Sequence, residues 1–287
     1  MRILPKPSDE NNAPYVATQV FGICIGTITD DVKRNRLAAI EPDLAVAAQA
    51  YDIAAAAGNL HTFPGSENVG TASAEEIKAI YTERLVPRKQ PARRIYDRIF
   101  KAPALGRCPL CDIGNVSTLD HHLPKSDYTL LSVTPNNLVP SCWNCQREKL
   151  AEAPKTFEEQ TLHPYFDNFE GEIWLRARVQ QVVPAAFEFY VGAPPQWHGP
   201  IAGRLESHLM MFGLKELYAS NAAGELAGMR RYLNEQLFAK GGAAAVRNHL
   251  SDSATSWENE FKNSWKAAMY RAGAVSDWFC EGGFLQT

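Results

Sequence analysis

Four of the six cysteines fall into two close pairs, Cys108-Pro-Leu-Cys111 and Cys142-Trp-Asn-Cys145, with 30 residues between them. Two C-x2-C knuckles present four thiolates as a tetrahedral zinc ion requires. Four sulfur ligands close the coordination sphere and leave no position for water, so the zinc expected here is structural. The segment from Cys108 to Lys149 spans 42 residues, near the size below which side-chain packing alone seldom holds a fold. Zinc contributes about 10–16 kcal/mol of apparent binding energy in small finger peptides, enough to hold such a segment together. Paired thiols of this kind point to a reducing compartment more than to a disulfide scaffold. Cys24 and Cys280 follow no such pattern and are assigned no role.

A second kind of chemistry lies between and after the knuckles. Leu119-Asp120-His121-His122-Leu123-Pro124 and Asn136-Asn137-Leu138-Val139-Pro140 stand inside them, and Gln146-Arg147-Glu148-Lys149 follows. Phosphodiester hydrolysis needs an activated water and a cation to neutralise charge on the phosphoryl and leaving oxygens. Neutral imidazole suits the first task near pH 7. A Mg²⁺ or Mn²⁺ ion held by the hard oxygens of Asp120 and Gln146 suits the second.

In order, spacing and residue type this segment resembles the HNH endonucleases. Their ββα-metal fold reads Cys-x2-Cys, a strand ending Asp-His-x-x-Pro, a loop, Asn-Leu-x-x-x-Cys-x2-Cys, then Asn or His and a Lys. The match covers Cys108 to Lys149, roughly one seventh of the chain. The resemblance implies that Asp120 binds a divalent ion, that His121 is the general base, and that Asn137 fixes the His-bearing loop or the base's orientation. It implies a one-metal mechanism that leaves a 5′ phosphate. Gln146 stands where the family has Asn or His as a second metal ligand; it keeps an amide oxygen on a stem one methylene longer. His121 would then need its Nδ1 hydrogen held, by a backbone carbonyl or by Asn137, so that Nε2 stays free. His122 occupies a position usually apolar in the family. His163-Pro-Tyr-Phe-Asp167 resembles an extension found after the motif in some bacterial HNH proteins and is read as a packing turn.

The function implied is metal-dependent cleavage of DNA, with restriction or antiviral phage defence as the pathway by family analogy. Two alternatives keep the cysteines: a non-catalytic zinc-ribbon nucleic-acid-binding protein, and a nuclease subunit active only with a protein partner in a defence complex.

A net charge of -3 conceals a basic stretch, Arg84 to Arg107, with eight cations against the single acid Asp97. In a helix from Pro91 to Phe100, Arg94, Arg98 and Lys101 share one face while Ile95 and Ile99 share another. Arg93, Arg94, Arg98 and Lys101, with Lys125, Arg147 and Lys149 beside the motif, are the expected contacts to a nucleic-acid backbone, double-stranded DNA above all.

The elements that must position these residues divide the 287-residue chain into a helical N-terminal region with the basic arm (1–101), the zinc module (102–168) and a β-hairpin with helices (169–287). The fold class expected is α+β. Helical spacing runs from Thr29 to Gly58, bent or divided by Pro42. Ser73-Ala-Glu-Glu76 is a capping box for a helix through Leu85. Alternation at Ile173, Leu175, Ala177 and Val179, and again at Phe187, Phe189 and Val191, predicts a hairpin. From His198 to Ala274 the helical period returns, with Leu205/Leu209, Leu226/Met229/Leu233/Leu237 and Val246/Leu250/Trp257/Phe261/Trp265 as core stripes. A 45% hydrophobic content excludes a disordered chain. The longest apolar run, Val16 to Ile28, is interrupted by Thr18, Gln19, Gly22 and Gly26, so neither signal peptide nor membrane anchor is expected and the location expected is cytoplasmic.

Overall fold

The computed structural model describes residues 1–65, 70, 72–149, 151–197 and 199–286. The chain is α+β, with helices predominating over two small antiparallel sheets. It divides into two compact units, Arg2–Asp167 and Asn168–Thr287, the latter with Met1.

The first unit opens with α1 (Ala17–Ile25), α2 (Asp31–Ala38) and α3 (Glu41–Ala56). Asp30 caps α2 by accepting from the Lys33 amide at 3.0 Å. Pro42 lies in the first turn of α3, where its missing N–H costs nothing, so the element expected from Thr29 to Gly58 is two helices. Gly58, at φ +69°, ends α3. It lets the Asn59 amide reach back to the Ala54 carbonyl at 2.7 Å. The capping box of Ser73 and Glu76 opens α4 (Ala74–Ile80), which widens into a π-helical turn, Tyr81–Leu85. The basic helix α5 (Arg93–Phe100) follows, then β1 (Thr118–His121), β2 (Leu138–Ser141) and α6 (Trp143–Lys149). β1 and β2 pair antiparallel, with Asp120 opposite Val139 and His121 opposite Leu138.

Phe21, Leu37, Leu44, Ile77, Leu85, Ile95 and Ile99 bury their side chains in one core with Leu119 of β1 and Leu138 of β2. Each fully buried leucine contributes about 1.5–3 kcal/mol. The segments 1–101 and 102–168 therefore share a core, and the strand pair does not depend on zinc alone.

The second unit holds the hairpin, β3 (Leu175–Gln180) and β4 (Ala186–Val191), paired from Leu175 opposite Val191 to Gln180 opposite Ala186. Its helices are α7 (Pro200–Met211), α8 (Leu214–Tyr232), α9 (Ala239–Phe261, bent at Gly242), α10 (Trp265–Val275) and α11 (Asp277–Cys280). Phe189 meets Tyr218 of α8 edge-on, and Phe187 packs against Phe279 of α11. Leu205, Leu209, Leu226, Leu233, Val246, Leu250, Phe261 and Trp265 are buried, as their spacing predicts, whereas Met229, Leu237 and Trp257, expected in the same stripes, are only half-buried; Leu237 lies in a π-helical turn, Leu233–Phe238, which shifts the helical phase. His198 lies outside the described residues. Among the described residues no helix is long and apolar enough to cross a membrane.

Candidate functional site

The two knuckles bring Cys108, Cys111, Cys142 and Cys145 together, all buried, with their sulfurs within 4.8 Å of one another. Cys111 and Cys142 are 3.8 Å apart. A tetrahedron with zinc–sulfur bonds of about 2.3 Å has sulfur–sulfur edges of about 3.8 Å, so the cluster fits a zinc ion. Local backbone sets the sulfurs: Asp112 turns back at φ +59° and donates to the Cys108 carbonyl at 2.8 Å. The Gly114 amide points at Cys111 Sγ (3.4 Å) and the Cys145 amide at Cys142 Sγ (3.5 Å). At Gly114 a Cβ would sit 2.7 Å from both Cβ and Sγ of Cys142, so only glycine admits the second knuckle here. Hydrogen bonds shared among the four sulfurs lower the pKa of Cys111 and Cys142 and raise that of Cys108 and Cys145, so the cluster holds its remaining protons in common. Arg2 clamps the first knuckle through an ion pair with Asp112.

β1 is an edge strand, and its outward backbone groups need partners. Three side chains supply them. The Leu119 amide donates to Tyr96 Oη at 3.3 Å, Tyr81 Oη donates to the Leu119 carbonyl at 2.6 Å, and Lys149 Nζ donates to the His121 carbonyl at 3.0 Å. Helix α5, the π turn and α6 are thereby tied to the strand that carries Asp120 and His121. Lys149, expected at the nucleic-acid backbone, is instead only 5% exposed and closes this edge; burial depresses its pKa, with Asp120 opposing.

His121 is 6% exposed. Its Nε2 lies 2.8 Å from the Ser132 carbonyl. A carbonyl only accepts, so Nε2 carries the proton and Nδ1 keeps the lone pair. This reverses the expected tautomer: the holding group is a backbone carbonyl, and it holds Nε2. The Tyr81 ring packs edge-on at 4.6 Å. Burial pushes the imidazole pKa down to about 3, against the pull of the Ser132 carbonyl, so the ring is neutral at ordinary pH.

Asn137 is fully buried, and its side-chain hydrogen bonds go to the loop backbone, not to the His121 ring. Its Oδ1 accepts from the Leu123 amide at 2.8 Å, and its Nδ2 donates to the carbonyls of Leu123 (3.0 Å) and Leu131 (3.3 Å). It fastens both ends of the loop between His121 and Ser132.

Asp120 leaves β1 on the face opposite Leu119 and His121. Its Oδ2 is buried with no hydrogen-bond partner. Burial raises its pKa while the Lys149 charge opposes the rise. Gln146 lies one turn before Lys149 on α6, so the two share a face, the one Lys149 uses to reach β1. Asp120 Oδ2 is thus a buried hard oxygen that faces the Lys149 charge, and among the described residues the one cluster of possible metal ligands is that of the four cysteines.

His122 and His163 stack with ring centres 4.1 Å apart. His163 accepts the Tyr165 amide on Nδ1 at 3.1 Å, and its Nε2 lies 2.9 Å from Tyr51 Oη. The 163–167 segment is thus a buried packing turn. Of the expected phosphate contacts, Arg94, Arg98, Lys101 and Arg147 are exposed. Arg147 pairs with Glu148 and stacks over Trp143 at 4.8 Å. Arg93 turns to Asp97 at 2.8 Å and to the Val86 carbonyl. Lys125 Nζ sits 4.7 Å over the Tyr81 ring, with its pKa depressed by burial. Sequence reasoning missed Tyr81, Tyr96 and Ser132. Neither tyrosine belongs to a motif, and Ser132 acts through its backbone, so no side-chain pattern marked them.

The chain is similar to protein ea31 of Escherichia phage lambda, with 28% identity over 276 residues that cover 87% of this chain and 90% of that protein. No family model matches the sequence. No solved structure matches it.

Proposed function

We propose that this protein is a metal-dependent endonuclease of the HNH type that hydrolyses DNA, with a structural zinc ion in the four-cysteine cluster. One observation carries the reading: Asp120, whose Oδ2 has no hydrogen-bond partner, directly precedes His121 in β1, and the Ser132 carbonyl fixes the tautomer of that imidazole. Nδ1 of His121 accepts the proton of the attacking water, and the Ser132 carbonyl steadies the imidazolium that results. A Mg²⁺ or Mn²⁺ ion held by Asp120 and Gln146 would neutralise charge on the phosphoryl and leaving oxygens. Asn137 keeps Ser132 and His121 in register by tying their loop at Leu123 and Leu131. Restriction or phage defence is the pathway this activity serves by analogy with other such nucleases.

A second reading, a zinc-ribbon nucleic-acid-binding protein without hydrolysis or a subunit opened by a partner, draws on the burial of His121. Relaxation of supercoiled plasmid with Mg²⁺ or Mn²⁺, beside EDTA and His121→Ala, separates them. Cutting lost in both controls supports the nuclease. Salt-sensitive binding by a wild type that never cuts supports the second reading.

A further inference from the structure

Between the N-terminal arm and α5 lies a cavity of about 640 Å³ whose lining includes neither the cysteines nor Asp120 and His121. Its walls carry four cations, Lys6, Arg94, Arg98 and Lys101, against one acid, Asp97. Asp97 is already paired with Arg93. Arg98 donates to the Ser8 and Asp9 carbonyls at 3.3 and 2.9 Å, which fixes its guanidinium without neutralising it. Lys6 lies 4.2 Å over the Phe166 ring. Among the described residues no ion pair engages Lys6, Arg94 or Lys101.

Like charges around one concavity focus a positive potential, and an anion is the ligand that relieves it. Size narrows the anion. The volume falls within the roughly 300–1,000 Å³ of small-molecule sites, well beyond what a lone phosphate fills. The cavity is also anchored to the strand pair: Tyr165, in its wall, donates to the Leu138 carbonyl at 2.8 Å, and Leu138 is the register partner of His121.

We propose that this cavity binds a phosphate-bearing nucleotide unit, with Lys6, Arg94 and Lys101 meeting its phosphate and Arg98 forming a fixed wall. Where the unit is part of a DNA strand, the proposal rests on the nuclease reading; a free nucleotide is the other source of the same chemistry.

The test uses the full zinc-loaded chain and a variant combining Lys6→Gln, Arg94→Gln and Lys101→Gln, with circular dichroism to establish that the variant folds. Binding of a short DNA duplex is titrated across salt concentrations, with AMP and ATP as separate ligands and competitors. The variant should bind DNA at least tenfold more weakly, with a slope of log affinity against log salt shallower by about two to three units. Nucleotides that bind the wild type but not the variant, and displace the duplex, would identify the free nucleotide as the source. Equal binding of every probe by the folded variant, or no binding of any probe by the wild type, overturns the proposal. A wild type that cuts plasmid while the variant binds normally sinks the cavity alone. A wild type that never cuts, beside a variant that loses binding, sinks the nuclease reading alone.

Discussion

Asn137 offers the sharpest mutational prediction because every polar atom of its side chain has a backbone partner inside the protein. Asn137→Ala leaves the Leu123 amide and the carbonyls of Leu123 and Leu131 buried without their bonds of 2.8, 3.0 and 3.3 Å. An orphaned buried backbone group costs about 1–3 kcal/mol. The Leu131 carbonyl keeps the Thr134 amide at 3.2 Å, so the two backbone groups of Leu123 are the ones orphaned, a loss of about 2–6 kcal/mol and a large share of the roughly 5–15 kcal/mol by which domains are stable. Asn137→Asp preserves shape and the acceptor for Leu123, yet its ionised form sets a carboxylate oxygen against two carbonyls. Its folded-state pKa must lie above the unfolded value of about 4. The Asp variant is thus closest to wild type below that value and loses stability as pH rises through its folded pKa. Urea unfolding followed by circular dichroism at pH 5 and pH 8, with wild type as reference, measures both effects. A loss below about 1 kcal/mol for Asn137→Ala, or an Asp variant that gains on wild type as pH rises, refutes the reasoning.

Further outcomes follow from the same geometry. Asp120→Asn removes the charge that opposes the burial-driven fall of the Lys149 pKa, so it should lower stability at neutral pH while abolishing cleavage; denaturant midpoints and plasmid assays read the two effects. Elemental analysis should find one zinc per chain, lost in Cys142→Ser, weakened in Gly114→Ala and released on acidification as protons compete for the thiolates. Zinc removal should leave far-UV circular dichroism largely helical, because Leu119 and Leu138 stay packed in the helical core. Lys149→Met should cost about 1–3 kcal/mol by orphaning the His121 carbonyl, with the salt slope of DNA binding unchanged.

The cysteine cluster was legible from spacing alone, since two C-x2-C turns leave little freedom once the strands pair. The capping box at Ser73, the hairpin and most of the core stripes of the second unit were legible too, because each follows from local periodicity or capping chemistry; Met229, Leu237 and Trp257 are the stripe members that stay half-buried. What closes the edge of β1 was not. Tyr81, Tyr96 and Lys149 reach backbone groups far away in sequence, and a residue's type does not announce such a partner. Lys149 shows the cost of reading charge as exposure: a lysine after a knuckle can as well bury its stem and satisfy a carbonyl. Ile77, Tyr81 and Leu85 lie in one core with Leu119 and Leu138 of the strand pair, a contact that the capping box at Ser73 does not foretell. His121's tautomer lay beyond the sequence because a backbone carbonyl sets it.

The central claim is that His121 moves a proton during hydrolysis, and the most direct test is the single-turnover cleavage rate of DNA at saturating protein and Mg²⁺, wild type against His121→Ala. The account predicts a rate about 10²–10⁴-fold lower in the variant, with DNA affinity unchanged and 5′ phosphate ends on the wild-type product. Equal rates for the two proteins would contradict it.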